Sequence, residues 1–279
     1  MPVSSIEVTS EARVATSAFR GTRAVSSRGM DHFRIVLVRP RNPENIGAVA
    51  RAMRNFELTD WAIVELGTHD FATARRVAVH AEELLDRPRL CATLDEAVAD
   101  CAWVVGTSAR KVRGKVRLRP EEVGQEALLR RPGRTAIVFG EERSGLTAAE
   151  IDRCHALSAI PTGAAQPSLN LAQAVLLYAW EVGRAVRCAA RGAAAAGASS
   201  PPGEGMASRQ RTGALATDAQ LLAVEVALRD LLRAGGFLAG PERHAVRDLA
   251  EVVRRGRPSP REARLWESAL RKVGKRLPR

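Results

Sequence analysis

Residues 135–146 read Thr135-Ala136-Ile137-Val138-Phe139-Gly140-Glu141-Glu142-Arg143-Ser144-Gly145-Leu146, an apolar run opening into two glycines with four residues between them. The run has the length and β-branched content of a buried strand, and glycines straight after a strand are how phosphate-cradling loops begin. A Walker A loop, however, carries Lys and Ser/Thr after its second glycine, to reach the phosphates and the magnesium. Here Leu146 and Thr147 follow instead, and Glu141 and Glu142 within the loop repel phosphate. This is not an NTPase loop. The glycines still permit close backbone approach, so an adenosine-type ligand without phosphates fits the stretch, as does a plain strand–turn–helix connection.

On either side of this loop, strands and helices alternate. Strands are expected at 34–39, 61–65, 90–92, 102–106, 135–139 and 155–160. Helices are expected at 45–56, 78–85, 94–100, 121–130, 147–153 and 169–187. Short apolar strands alternating with helices imply an α/β fold, a mostly parallel sheet covered on both faces. Residues 189–216 shift to Ala, Gly, Ser and Pro and read as a flexible linker. Three helices are expected beyond it, at 218–234, 241–255 and 259–276, forming a small helical domain. The chain thus divides into a leader (1–30), disordered or a wrongly assigned start before Met30, an α/β domain (31–188), the linker (189–216) and a basic helical domain (217–279) expected to bind RNA.

With 46% hydrophobic residues in 279, the chain is globular with a substantial core. A net charge of +12 favours a polyanionic partner, nucleic acid first and an anionic membrane surface second. An Arg- and Ala-rich composition also fits coding bias. Residues 206–279, however, hold 16 Lys/Arg against 8 Asp/Glu, so a quarter of the chain carries most of the excess. That concentration favours nucleic acid. Cys91, Cys101, Cys154 and Cys188 lie far apart, without CxxC pairs or histidine spacing, so neither a metal site nor a disulfide framework is expected. No apolar run reaches a membrane span's length, and residues 1–29 lack the apolar core of a secretory signal. The expected compartment is the cytoplasm, with no membrane partner.

Four further stretches could carry chemistry. Pro43-Glu44-Asn45-Ile46-Gly47-Ala48-Val49-Ala50-Arg51-Ala52-Met53 opens a helix, with Asn45 as its N-cap and Arg51 one and a half turns on. By itself Arg51 reads as a surface arginine. Gly106-Thr107-Ser108-Ala109 ends a strand, where open α/β sheets bind ligands. The cationic run that follows, Arg110, Lys111, Arg113, Lys115, Arg117 and Arg119, suits a phosphate backbone or a solvated loop. Ile160-Pro161-Thr162 ends another strand. Ser168-Leu169-Asn170-Leu171-Ala172-Gln173-Ala174-Val175 starts a long helix, where Ser168 and Asn170 read as caps.

In this order and spacing, "NIGAVARAM", "VVGTSAR", "FGEERSGL" and "IPT…SLNLAQAV" resemble the signature motifs of the SPOUT (SpoU–TrmD, TrmH) RNA 2′-O-methyltransferases. The similarity is greatest to the TrmJ type, which methylates ribose 32 of the tRNA anticodon loop. It is strong over 31–187 and weak in the C-terminal helices, at Gly236-Phe237-Leu238 and Arg254…Arg257-Pro258…Glu262.

The resemblance implies a trefoil-knotted α/β fold and a homodimer with the sites near its interface. It also implies S-adenosylmethionine held by groups at Thr107, Ser108, Ala109, Gly140, Ile160, Ser168 and Leu169, tRNA as substrate, and no metal. It assigns Arg51, Asn45, Glu142, Ser168 and Asn170 to the reaction, and it suits Arg110, Lys111, Arg113, Lys115 and Arg117 as RNA contacts. Arginine is always protonated in proteins, so Arg51 is expected to clamp the phosphate beside the target ribose rather than act as a base. Between Thr162 and Ser168 the chain has Gly163-Ala164-Ala165-Gln166-Pro167, where relatives often carry an aromatic residue. Alternatives are a ribosomal RNA methyltransferase and a non-catalytic RNA-binding relict of the fold.

Overall fold

The computed structural model describes residues 29–196, 214–238 and 242–276. The expected leader, apart from its last two residues, lies outside them. In chain order the elements are β1 (Phe33–Val38), α1 (Pro43–Asn55), β2 (Asp60–Val64), α2 (Phe71–Val77), α3 (Glu82–Leu85), β3 (Arg89–Cys91), α4 (Leu94–Val98) and β4 (Cys101–Thr107). There follow β5 (Val116–Leu118), α5 (Pro120–Leu128), β6 (Arg134–Phe139), α6 (Ala148–Arg153), β7 (Ala156–Ser158) and α7 (Leu171–Ala196). The C-terminal helices are α8 (Asp218–Ala234), α9 (Glu242–Arg255) and α10 (Pro260–Gly274).

Seven strands form one sheet in the order β3-β2-β1-β6-β4-β7-β5, with every pairing parallel. The inner strand β1, between β2 and β6, is buried along its whole length, FRIVLV. Phe33, Ile35 and Leu37 face the core under α1, α5 and α7, while Val36 and Val38 face the one under α4 and α6. Both faces are covered, as a parallel sheet requires. At the amino end of the strands, the buried Arg34 guanidinium holds Asp60 at 2.8 Å and Asp100 at 2.5 Å.

Four expectations change. Helix α1 starts before Asn45, because Asn42 accepts from the Glu44 N–H as N-cap and Pro43 suits the first helical position. The helix expected at 78–85 is helical only over α3, an unexpected helix, α2, precedes it, and His80 between the two sits at φ +61°. The cationic run contains a strand, β5, paired with β7. The expected linker is helical to Ala196, since α7 continues through an alanine-rich stretch with the highest helix propensity. Of the rest of that linker, 197–213 lie outside the described residues. Residues 214–216 form neither helix nor strand, with Ala216 buried and its N–H donating to the Pro258 carbonyl.

Helix α8 begins where expected, with Thr217 and Gln220 forming a capping box. It packs on α10 through Ala216, Leu221, Val224 and Ala263. It also docks on the sheet. Asp218, 1% exposed, lies 2.5 Å from the Arg153 guanidinium and 3.3 Å from His155 Nε2. The Val104 N–H donates to His155 Nδ1 at 2.7 Å, so that nitrogen carries no proton and the imidazole is neutral. Burial pushes its pKa down in agreement. Among the described residues no helix is long and apolar enough to cross a membrane.

Removing Asp218 strips Arg153 of its buried acid, although the more exposed Asp95 still pairs with it. Asp218→Ala is therefore expected to cost about 3 kcal/mol, the low end for breaking a buried pair. Urea denaturation should show a lower midpoint, with Asp218→Asn losing less because it keeps the shape. A midpoint equal to wild type would show that this contact does not hold α8 to the sheet.

Candidate active site

A cavity of about 330 Å³ opens at the carboxyl edge of the sheet, among the ends of β4, β6 and β7 and the start of α7. That size and place are usual for a small-molecule site in an open α/β fold. All seven residues expected to hold a methyl donor line it: Thr107, Ser108 and Ala109 after β4, Gly140 after β6, Ile160 after β7, and Ser168 and Leu169 before α7. Its floor includes Phe139 packed edge-on against Tyr178, with ring centroids 5.5 Å apart. The buried Tyr178 hydroxyl donates to Ser158 Oγ at 2.7 Å, and burial raises its pKa. Sequence reasoning missed both Tyr178 and Ser158. The available signal was that Tyr178 is the chain's single tyrosine, within a helix already expected beside the site.

The loop after β6 folds back on itself. A Cβ on Gly140 would lie 2.2 Å from the Gly145 carbonyl carbon and 2.3 Å from the Leu146 nitrogen, both backbone atoms. Gly145 sits at φ +66°, and its N–H donates to the Glu141 carbonyl at 2.8 Å. Both glycines are thus required by the turn. Ser144 Oγ donates to Glu141 at 2.8 Å, and Arg41 pairs with the same carboxylate at 2.8 Å.

This turn presents Glu142 to the opposite loop. Its carboxylate accepts from the Arg41 N–H at 3.2 Å, the Asn42 N–H at 3.2 Å and Asn45 Nδ2 at 3.1 Å. Asn45 Oδ1 in turn accepts from Asn170 Nδ2 at 2.8 Å. Asn170 Oδ1 takes the N–H of Ala172 at 2.8 Å and so caps α7, as expected of it. Three of the five residues expected to serve the reaction therefore form one hydrogen-bonded chain, and Ser168 lies beside it on the cavity wall.

Arg51 is apart from them. It is exposed on α1, is not among the residues lining the cavity, and its side chain makes no hydrogen bond or ion pair with any described residue.

The cationic run divides. Lys115 turns inward, its ammonium donating to the Asp152 and Cys154 carbonyls at the end of α6, and burial lowers its pKa. Of the five residues expected to contact RNA it is the one whose charge is taken up by helix-end carbonyls. Arg110 donates to the Ser144 carbonyl at 3.1 Å and Arg117 to those of Arg110 and Ala109, so both brace loops at the cavity while staying exposed. Lys111 and Arg113 point to solvent. Among the described residues no group of three or more His, Cys, Asp or Glu is placed to hold a metal.

The Glu142 carboxyl is partly buried, which alone would raise its pKa, but the Asn45 amide and the surrounding backbone N–H groups hold it below the usual carboxylate value of 4.5. A carboxylate lowered in the folded state adds stability above its unfolded pKa, and that contribution is lost as pH falls through the folded value. Glu142→Gln is therefore expected to unfold at lower denaturant than wild type at pH 7, with the gap narrowing as pH is taken below 4.5. A gap independent of pH would assign the effect to packing rather than charge.

Over residues 32–180 the chain matches the SpoU rRNA Methylase family. It is 40% identical over 156 residues to the tRNA (cytidine/uridine/adenosine-2′-O-)-methyltransferase TrmJ of Pseudomonas aeruginosa, covering 55% of this chain and 61% of that protein. It is 36% identical over 154 residues to the tRNA (cytidine-2′-O-)-methyltransferase TrmJ of Methanocaldococcus jannaschii, covering 53% of this chain and 66% of that one. The match thus spans less than two thirds of either relative's length. Among solved structures, TrmJ from Zymomonas mobilis superposes with a TM-score of 0.68 at 30% identity, over 86% of this chain and 98% of that one. Its fold is that of the SPOUT methyltransferases, a parallel seven-stranded sheet with a helical C-terminal region. The matched region is the one that builds the cavity and the Glu142 network, and the chain belongs to the SpoU methylase family.

Proposed function

We propose that this protein is an S-adenosylmethionine-dependent 2′-O-methyltransferase of tRNA, acting at nucleotide 32 of the anticodon loop in the cytoplasm. The observation that carries this reading is the meeting, at one edge of the sheet, of the cavity with the Asn45–Glu142–Asn170 chain, within a methylase family. The cavity's chemistry supports the donor. It has an apolar floor at Phe139, Leu171 and Tyr178, backbone groups of three glycine- and serine-bearing loops, and two carboxylates, Glu141 and Glu142, beside two guanidinium groups, Arg110 and Arg143. Apolar surface and backbone polar groups in close reach suit an adenosine-type ligand. Bound there, S-adenosylmethionine supplies an electrophilic methyl group.

The protein's task is to align a weakly nucleophilic ribose hydroxyl and stabilise the charge that develops on it. Ser168 lines the cavity and orients the hydroxyl; Asn45, Glu142 and Asn170 hold the surrounding loops in register. Arg51 clamps the neighbouring phosphate and stabilises the alkoxide, while phosphate or water accepts the proton. Because Arg51 lies outside its own chain's cavity lining, the reading includes a homodimer. Helix α7 presents Leu176, Leu177 and Trp180 to solvent on one face, and Trp180 packs edge-on against Phe56 beside α1 at 6.0 Å. A second copy covering this face brings α1 of one copy towards the other's cavity. The reading also carries the trefoil knot, threaded where the donor-holding loops meet, and a division in which residues 217–279 grip RNA beyond the site. The family description names ribosomal RNA, so that substrate is the comparison to run.

Two substitutions separate the roles. Arg51→Ala is expected to lower methyl transfer about 100-fold or more in a tritiated-methyl tRNA assay, while calorimetry gives unchanged donor affinity. Equal turnover would remove the clamp. Gly140→Ala is expected to abolish donor binding with the circular dichroism spectrum retained, since its Cβ forces the loop open. Methylation of ribosomal RNA but not tRNA by the wild type would replace the proposed substrate.

A further inference from the structure

A second cavity, of about 210 Å³, lies between the start of β4, the end of α5 and the turn that leaves α9. Trp103, on its wall, is four residues before Thr107 on β4, so it stands roughly 13 Å from the first cavity along the strand. Four guanidinium groups line it, from Arg130, Arg254, Arg255 and Arg257, against two carboxylates, Glu126 and Glu251. Arg130 pairs with Glu126, Arg255 with Glu251 at 3.3 Å, and Arg254 with Glu225 at 2.7 Å. Arg257 has no carboxylate partner among the described residues; its guanidinium donates to the Leu129 carbonyl.

Two observations show that these guanidinium groups are incompletely satisfied, and the backbone that carries one of them is strained. The Nε atoms of Arg254 and Arg257 are buried without an acceptor among the described residues, and the Arg254 side chain is only 10% exposed. A buried donor left unpaired costs about 1–3 kcal/mol. Arg257 is held at φ +49°, in the left-handed region that residues with a Cβ avoid. Burial, and then the adjacent Arg130 charge, lower its pKa, so two guanidinium groups are kept close together. Arg130 is fixed in orientation by stacking 4.2 Å over the Trp103 ring. Guanidinium forks held this way match the oxygens of a phosphoryl group. The cavity is smaller than those that take drug-sized ligands, and so fits a phosphoryl group with little attached to it. Arg254, Arg257 and Pro258 also stood out in the sequence, and the methyl-transfer site uses none of them.

We propose that this crevice is an oxyanion site that binds a phosphate monoester or diester through Arg257, with Arg130 and Arg254 completing the cradle. The group comes either from an RNA backbone or from free phosphate. The crevice shares no residue with the donor cavity, so it stands or falls apart from the methyl-transfer reading.

The test uses the full chain and inorganic phosphate. In thermal unfolding, phosphate is expected to raise the midpoint of the wild type above that in chloride at matched ionic strength. Arg257→Gly removes the guanidinium at a backbone position that suits glycine, so the variant is expected to fold, keep S-adenosylmethionine binding and lose about tenfold or more in phosphate affinity. Arg130→Gln gives the same loss by a change that leaves the α9 turn intact. Binding of tRNA against salt then separates the sources. A slope reduced by about one in Arg257→Gly identifies an RNA phosphate, and an unchanged slope identifies free phosphate. Phosphate stabilising the wild type no more than chloride overturns the proposal, as does equal phosphate affinity in the wild type and both variants.

Discussion

One carboxylate holds the carboxyl edge of this protein together. A parallel sheet fixes its strands through their own ladder but leaves the loops at their ends to find other partners. Glu142 accepts from two backbone N–H groups and one side-chain amide of a segment about 100 residues earlier. Through Asn45 it reaches Asn170, and so the first turn of α7. Three loops that share no ladder are thereby tied to one charge, and hydrogen bonds to a charged acceptor are among the stronger ones available. The tight turn from Gly140 to Gly145 aims Glu142 outward, and the Asn42 cap frees Asn45 to serve the network instead of its own helix. Without that carboxylate the cavity would keep its floor, which the sheet and Tyr178 supply, but not the relative placement of its walls.

The parts of this arrangement that were legible in the sequence are those written in local chemistry. β1 and β6 hold the apolar runs Ile35–Val38 and Ala136–Phe139 because both faces of the sheet are covered there, and that pattern leaves little choice. Helix α8 shows its limits through a capping box at Thr217 and glycines at 235 and 236. The seven cavity residues were found through the resemblance of their motifs to a known family; strand-end position alone pointed to Thr107, Ser108, Ala109 and Gly140. Features decided by distant neighbours were not legible. β5 is three residues long in a cationic run and exists because β7 offers it a partner. Asn45 has the residue type of a cap, yet its position is set by Pro43 and its bond by a glutamate far along the chain. The cavity beside Trp103 joins β4, α5 and α9, and no local pattern announces it.

Charge shows the same difference between composition and placement. The six cations of residues 110–119 looked like a single contact strip. Folding spends three of them on carbonyls: Lys115 at the end of α6, Arg110 on the loop after β6, and Arg117 on the loop after β4. A carbonyl does not neutralise a cation, so Arg110 and Arg117 still contribute positive potential from exposed positions, but their geometry is already committed. Lys111, Arg113 and Arg119, the last exposed and no closer than 3.8 Å to Glu121, are the members of the run left to adapt to a partner's shape. Long-range attraction of a polyanion needs only the field; close contact needs free side chains, and there are fewer of those than the composition implies.

The C-terminal helices are attached to the sheet through Asp218, and this bears on how they can act. A buried acid facing Arg153 and a neutral histidine is costly to open, since either partner left alone would be desolvated without compensation. Such a contact favours one docked arrangement over a freely swinging module. Polyanion contacts made by α8 to α10 would then lie at a set distance from the cavity, so the helices would position a bound strand as well as hold it. A truncation that removes them would also uncover Arg153 and His155, mixing lost binding with lost stability. Single charge-neutralising substitutions on the exposed helix faces keep those two effects apart.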